Sequence, residues 1–294
     1  SEPNAGSDLA SLQTRAVKEG DKYILNGSKI WTTHAHWSNK MFVLARTDPD
    51  VKEQAGISFL LVDMEQPGIS VRPILTLAGD HEVNQVFMEN VEVPAEDLVG
   101  EEGQGWAIAK FLLENERGGS CHAPKLSYDL DQLYQLSQDM SDGNGGKLSD
   151  EMKSKIDAAL DDRDWRRRVA RLKLETQSLE MIELKILSKI ARGEKPGPLT
   201  SLTKLIASNL RQDIDLLAVD LFGPAGMQLP TARPLYGENT PPAFICPKAQ
   251  VAAARYLNSR AWTIFGGTDE VQKTIIAKTV LVLSFLGVTH AIEP

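Results

Sequence analysis

The sequence predicts an α+β protein with two domains, an all-β barrel or sandwich over residues 1–100 and an antiparallel four-helix bundle over residues 101–294. Short apolar stretches separated by turn residues fill the first part, whereas the second part has apolar residues at helical spacing. The chain of 294 residues, 42% of them hydrophobic and 24% charged, is long enough for two globular domains.

About six short strands are predicted in the first domain, at intervals typical of a sandwich or barrel. Gly20-Asp21 indicates one hairpin turn. Asn26-Gly27 lies between alternating apolar residues and is the strongest short hairpin signal in the chain. The later strands are predicted in KMFVLART, GISFLLVDM, ISVRPIL and VNQVFMENVEV.

Past Gly105 the apolar period becomes helical, which predicts a bundle of four long helices with short connections. The predicted segments are GWAIAKFLLENER, residues 150–192 as one helix, residues 199–222, and TDEVQKTIIAKTVLVL. Ser149 and Thr268 are the expected N-caps of the second and the last of these. DMSDGNGGKLSDE and RPLYGENTPPAFICP are predicted to be loops.

The composition excludes several classes of protein. A net charge of −8 disfavours nucleic-acid binding, which needs clustered Lys and Arg. Cys121 and Cys246 are far apart, so neither a disulfide framework nor a zinc site is expected, and Cys121 is interpreted as a reduced core thiol. His34 and His36 are interpreted as loop or surface residues and not as metal ligands. No apolar run has the length of a membrane span, and no signal peptide is recognisable.

The opening segment SEPNAGSD combines residues that favour turns and short side-chain hydrogen bonds. A turn so rich in glycine and hydroxyl groups allows a ligand to approach the backbone closely. From these residues alone, a ligand-holding turn and a plain hairpin entry both remain open.

Three ordered segments, SEPNAGSDLAS, NGSKIWTT and FGGTDEVQKTIIAK, resemble the acyl-CoA dehydrogenase family of flavoproteins. The resemblance covers nearly the whole chain and implies a middle β-domain followed by a C-terminal four-helix bundle, with the family's N-terminal helical domain absent. It further implies FAD, an acyl-CoA substrate that is oxidised to the 2-enoyl-CoA, and an electron-transfer flavoprotein or similar acceptor. A homodimer or homotetramer is expected, in the bacterial cytoplasm, or in the mitochondrial matrix of a eukaryote.

The resemblance assigns flavin contacts to Ser1 and Ser7 in the opening turn and to Trp31 and Thr33 after it. The indole offers a broad face to the isoalloxazine ring and the threonine hydroxyl can donate to it. Trp31 and Thr33 are two residues apart, so strand alternation places them on the same side. From spacing alone, core packing of Trp31 would be the simpler interpretation.

The catalytic base is expected on the first bundle helix. Many relatives carry it as glutamate in a Y-E-G-T loop, but the matching position here is Gly266, which has no carboxylate. A second lineage places a glutamate before an arginine on the first bundle helix, and Glu116-Arg117 matches it. Glu114 is the rival base. Ser7, Glu114, Arg117 and Gly266 are the expected substrate contacts.

The resemblance gives Gly266 a second role, because the backbone N–H at this position donates to the thioester oxygen in the family. Thr268 and Glu270 match positions near the flavin, but an N-cap with a capping acid explains them equally well. The region DMSDGNGGKLSDE lacks the arginine that, in the family, reaches the FAD of a neighbouring subunit, so cofactor contacts between subunits are expected to differ or to be weaker. A flavin oxidase or monooxygenase, or a non-catalytic subunit of a heteromeric dehydrogenase, are the alternative functions.

Overall fold

The computed structural model describes residues 1–119, 121–141, 150–227, 229 and 247–282. These residues form two compact units. The first contains residues 1–113, and the second contains the described residues from position 114 onwards. Among all the described residues, no helix is both long and apolar enough to cross a bilayer.

The first unit contains a six-stranded sheet, so the α+β prediction and the predicted strands are confirmed. The strands are β1 (Arg15–Glu19), β2 (Lys22–Thr33), β3 (Lys40–Arg46), β4 (Ile57–Asp63), β5 (Ile69–Leu75) and β6 (His81–Pro94). Their order is β4-β3-β1-β2-β6-β5, with β1 and β3 parallel and every other pair antiparallel. A closed barrel is wrong, because β4 and β5 each have a single strand neighbour and remain as edges.

Alternating apolar residues of the strands form the core of this unit. The largest buried cluster takes residues from five of the six strands and includes Tyr23, Leu25, Val43, Leu60, Val91 and Val93. Two smaller clusters lie around Ile57 and around Val86. The predicted turn at Gly20-Asp21 is confirmed, since β1 and β2 pair on either side of it.

The hairpin predicted at Asn26-Gly27 is wrong, because β2 continues through both residues. The pairing of β2 with β6 shifts register between Leu25 and Gly27, as at a β-bulge. Asn26 Oδ1 accepts from the backbone N–H of Asn90 at 2.8 Å. A Cβ at position 27 would lie 2.5 Å from Thr14 Oγ1, so glycine serves a close backbone approach here and not a turn.

Seven α-helices are described: α1 (Gly105–Gly119), α2 (Ala123–Ser141), α3 (Asp150–Asp161), α4 (Arg163–Ala191), α5 (Leu199–Phe222), α6 (Pro247–Ser259) and α7 (Asp269–Thr279). The predicted helices after Gly105 and over residues 199–222 are confirmed. The single helix over 150–192 is wrong, because Asp162 ends one helix and caps the next by accepting from the backbone N–H groups of Asp164 and Trp165. Ser149 and most of the predicted loop over 233–247 lie outside the described residues.

Helices α2 and α6 are absent from the sequence prediction, yet both contribute to the core of the second unit. That core contains Leu126 and Leu130 of α2, Leu172 and Leu179 of α4, Leu210 and Leu217 of α5, and Ala252 of α6. Contacts between neighbouring helices show that they run antiparallel. In α2 and α4, Asp131 pairs with Lys173, and the backbone N–H of Ala123 donates to Glu183. In α4 and α5, Arg168 pairs with Asp220, and Arg171 pairs with Asp213.

Candidate functional site

The first unit carries an open cleft of about 380 Å³ beside the bulged part of β2. Its lining combines aromatic, apolar, cationic and hydroxyl groups, among them Ser1, Lys29, Trp31, Thr33, Phe42 and Met64. This volume lies in the usual range for small-molecule sites. Of the four flavin contacts expected in the first unit, three therefore line one cavity, whereas Ser7 is exposed and is not part of its lining.

A distorted backbone presents Trp31 at this cleft. Trp31 has φ of 64°, and the register of β2 against β6 shifts between Lys29 and Thr32. The indole is 58% exposed, which is unusual for so large an apolar side chain. Simple alternation was therefore the wrong reason for placing Trp31 and Thr33 together, although both line the cleft. A strained residue with an exposed aromatic ring is typical of a ligand contact.

The fully buried Asn84 supports the distorted segment from β6. Its side-chain amide donates to Thr32 O at 3.0 Å. The imidazoles of His36 and His81 both lie within hydrogen-bond distance of the same side chain, and their rings stack 4.0 Å apart. Among the described residues, no group of three or more His, Cys, Asp or Glu is arranged to hold a metal ion.

A buried ion pair holds the opening turn against the cleft. Lys29 Nζ donates to Glu2 Oε1 at 2.6 Å and to Leu44 O at 2.7 Å. The Glu2 carboxylate also accepts from the backbone N–H groups of Gln13 and Thr14 at 2.7 and 3.1 Å. The lysine and glutamate side chains are only 9% and 7% exposed. The pair fixes the residue next to Ser1, whose carbonyl accepts from Ile30 N at 2.9 Å.

Burial and pairing oppose each other in the pKa values of this pair. Burial alone would raise the pKa of Glu2, but the hydrogen bond and charge of Lys29, with the bonds from Thr14 and Gln13, lower it below its ordinary value of 4.5. Burial lowers the pKa of Lys29, and Glu2 opposes that change. Sequence reasoning missed both residues as site components, although each lies within a quoted motif, SEP or NGSK.

In the second unit, a glycine pair precedes α7. Gly266 and Gly267 have φ of 64° and 86°, in the left-handed region that other residues rarely adopt. Gln272 of α7 donates its side-chain N–H groups to the carbonyls of both glycines, at 3.0 and 3.2 Å. Lys204 Nζ and Ser208 Oγ of α5 donate to Trp262 O, at 2.8 and 3.0 Å. The loop is therefore anchored on both sides of the glycine pair.

Thr268 and Glu270 form the N-terminal cap of α7. Thr268 Oγ1 accepts from the backbone N–H of Val271 at 3.2 Å, which confirms the predicted N-cap. Hydrogen bonds from its own backbone N–H and from Thr268 lower the pKa of the exposed Glu270 carboxyl. The capping interpretation is thus satisfied within the helix itself.

Two family descriptions match this chain in order. Residues 1–91 match "Acyl-CoA dehydrogenase, middle domain", and residues 146–281 match "Acyl-CoA dehydrogenase, C-terminal domain". The chain belongs to the acyl-CoA dehydrogenase family. The first match includes the whole cleft lining, and the second includes the glycine pair and its anchors.

Individual members of the family resemble most of this chain. Acyl-CoA dehydrogenase IpdE1 of Mycobacterium tuberculosis is 35% identical over 96% of the chain, which spans 65% of that relative's own length. Two solved structures match this chain with a TM-score of 0.76 each. Each match covers 97% of this chain and 68% of the chain in the solved structure. They are the Tcur3481-Tcur3483 steroid ACAD G363A variant, 26% identical, and the ChsE4-ChsE5 complex from Mycobacterium tuberculosis, 28% identical.

The expected base and its neighbours belong to the last turns of α1. Glu114, Glu116 and Arg117 lie on helical backbone, and their side chains lie outside the described residues. Their roles therefore stay predictions. Cys121, after the same helix, is exposed, so its interpretation as a core thiol is wrong.

The start of α2 is anchored by Glu183 of α4. Its carboxylate oxygens accept from the backbone N–H groups of His122 and Ala123 at 2.8 and 3.1 Å, and the residue is only 4% exposed. A buried carboxylate on these free amides satisfies the helix N-terminus and complements its partial positive charge. The backbone that follows the Glu116 segment is thereby fixed to the bundle.

Proposed function

We propose that the protein to which this chain belongs catalyses FAD-dependent α,β-dehydrogenation of an acyl-CoA thioester to the 2-enoyl-CoA. The observation that carries the proposal is the cleft on the β unit, where an exposed indole on strained backbone adjoins a hydroxyl and the anchored opening turn. These features occur in a chain that matches the middle and C-terminal domains of the acyl-CoA dehydrogenase family.

The cleft fits the ring system of a flavin. Trp31 supplies an exposed aromatic face, Thr33 and Ser1 supply polar groups at the same cavity, and Phe42 and Met64 supply apolar walls. We assign Trp31, Thr33, Ser1 and Ser7 to FAD binding, with Thr268 and Glu270 as further contacts. FAD held by these residues would supply the acceptor for the hydride that leaves the β-carbon of the acyl chain.

Glu116 is the proposed base that removes the α-proton, and Arg117 orients its carboxylate. The backbone of Gly266 supports this assignment, because φ of 64° makes a side chain there strained. The loop that carries the base in other relatives is therefore shaped for glycine in this chain. Glu114, two residues before Glu116, is the rival base and a proposed substrate contact.

The proposed task of Gly266 is to donate its backbone N–H to the thioester oxygen. Negative charge develops on that oxygen as the α-proton leaves, so a fixed donor stabilises the transition state more than the ground state. Gly266 is exposed, so this N–H belongs to an accessible loop.

Flavin bleaching tests this function. Full-length protein reconstituted with FAD would be mixed anaerobically with thioesters of straight-chain, branched, cyclohexane-carboxylic and steroid-bearing acids. The steroid arm follows the similar steroid ACAD. We expect bleaching by at least one class, its loss in Glu116→Gln, and its retention in Glu114→Gln at a higher thioester concentration, because Glu114 is proposed to contact the substrate. Full bleaching by Glu116→Gln would refute the base assignment.

The same preparation separates the alternatives. Reoxidation by an electron-transfer flavoprotein without peroxide supports the dehydrogenase, whereas rapid peroxide formation in air supports the oxidase. The similar ChsE4-ChsE5 complex favours a second candidate, a subunit of a heteromeric dehydrogenase. No bleaching by any thioester alone, with activity restored by a co-expressed family partner, would support that candidate. Light scattering of the full-length protein tests the proposed homodimer or homotetramer.

A further inference from the structure

The buried side chain of Gln272 occupies an unusual position for a glutamine on α7. It is 0% exposed, and its amide nitrogen is shared between the carbonyls of Gly266 and Gly267, at 3.0 and 3.2 Å. Both carbonyls belong to glycine, the residue type with the greatest backbone freedom, and both glycines have left-handed backbone conformations. Two donors from one buried side chain therefore restrict the part of the loop that has the weakest conformational preference of its own.

The N–H of Gly266 lies in the peptide plane between two anchored planes. On the upstream side, Phe265 N donates to Ala261 O at 2.9 Å, and Trp262 O is held by side chains of α5. On the downstream side, the carbonyl of Gly266 is held by Gln272. Without the downstream bond, the hydrogen bonds at Phe265 and at Thr268 would still hold the ends of this stretch, but the two glycines between them would keep their broad allowed region.

We propose that Gln272 is a positioning residue, which holds the glycine pair so that the Gly266 N–H points at the thioester oxygen. The inference rests on the proposed function, since it concerns the donor assigned there. Gln272 itself touches no substrate, because it is fully buried beneath the two glycines. Its effect is transmitted through the backbone and falls on the transition state, in which the oxygen carries most charge.

Gln272→Met is the central variant, because methionine keeps the length of the side chain and removes both donors. Gln212→Met is its matched control. Gln212 Nε2 also donates twice to this region, to Ser259 O at 3.0 Å and to Thr263 Oγ1 at 3.3 Å, but before the glycine pair. Removing one transition-state donor lowers kcat about 10²–10³-fold, so displacing it should lower kcat about 10–100-fold.

For Gln272→Met we expect this loss in kcat, with the KM for acyl-CoA changed less than threefold. For Gln212→Met we expect kcat to fall less than threefold. Gln272→Glu supplies a signature that a structural role would not produce. A protonated carboxyl can donate to one glycine carbonyl, whereas a carboxylate repels both. The kcat of Gln272→Glu should therefore rise towards that of the wild type as pH falls, and wild-type kcat should not follow this course.

Hydrogen exchange measured by mass spectrometry tests the anchoring without any substrate. Peptides covering 264–270 should exchange at least fivefold faster in full-length Gln272→Met than in wild type or Gln212→Met. Unchanged exchange would overturn the proposal, as would equal losses of kcat in the two Met variants. Faster exchange in a protein that bleaches with no thioester would refute the proposed function while leaving the anchoring demonstrated.

Discussion

Replacing Lys29 by methionine should destabilise the β unit strongly, because the variant leaves a buried carboxylate without its cation. Lys29 Nζ and Glu2 Oε1 are 2.6 Å apart, with 9% and 7% of the two side chains exposed. Removing one partner of a buried ion pair costs about 3–5 kcal/mol. Glu2 keeps two backbone N–H donors in the variant, so we expect the low end, about 3 kcal/mol.

Urea unfolding monitored by tryptophan fluorescence measures this cost, and Lys40→Met is the matched control. Lys40 also lines the cleft and pairs with Asp63, but the two side chains are 70% and 48% exposed. Such an exposed pair contributes little to stability, because water and salt screen the attraction between its charges. A second variant, Lys29→Met with Glu2→Gln, should recover part of the loss because it removes the buried charge. Equal costs for Lys29→Met and Lys40→Met would refute the reasoning.

Three further predictions concern the pH dependence and the backbone. The pKa of Glu2 is lower in the folded protein than its ordinary value of 4.5, so the ionised carboxylate stabilises the fold fully above pH 4.5. This contribution is lost as the pH falls through the lower, folded-state pKa. The urea midpoint of the wild type should therefore decrease in this acid range, and more steeply than the midpoint of Glu2→Gln. Asp162→Ala should cost about 1 kcal/mol in unfolding free energy through loss of an N-cap, and a change below the error of calorimetry would contradict the assignment. Gly27→Ala should cost about 2–4 kcal/mol, since the new Cβ meets Thr14, whereas Gly20→Ala, at φ of 65° with open space around it, should cost about 1–2 kcal/mol in the same urea assay.

The strands were predictable because one face of each is buried, and burial leaves a period of two in the sequence. The prediction failed where a contact distant in sequence decides the backbone. Asn26-Gly27 has the composition of a hairpin turn, but its partners are Thr14 on one side and Asn90 on the other. A pattern in neighbouring residues contains no information about either of these distant partners. The break of the 150–192 helix at Asp162 was locally visible, since aspartate is a strong N-cap.

Residues of the candidate site were predictable only where they belong to a motif of the acyl-CoA dehydrogenase family. Trp31 and Thr33 follow from the resemblance, and both line the cleft. Glu2 and Lys29 are separated by 27 positions, and each is of a residue type that is usually exposed on the protein surface. Gln272 was not predicted for another reason. A glutamine on an amphipathic helix is expected on its exposed face, whereas in the fold this side chain is buried against the carbonyls of the two glycines.

The shape of the glycine loop limits where the proposed base could be moved by substitution. A glutamate grafted at position 266 would adopt φ of 64° unless the loop refolded, and its Cβ would lie 4.0 Å from Cε of Lys204. The nearby ammonium would favour the charged carboxylate and make it a weaker proton acceptor. Moving the proposed base to position 266 would therefore require a rebuilt loop and a change at the neighbouring lysine, and a glutamate substituted there alone should be a weak base.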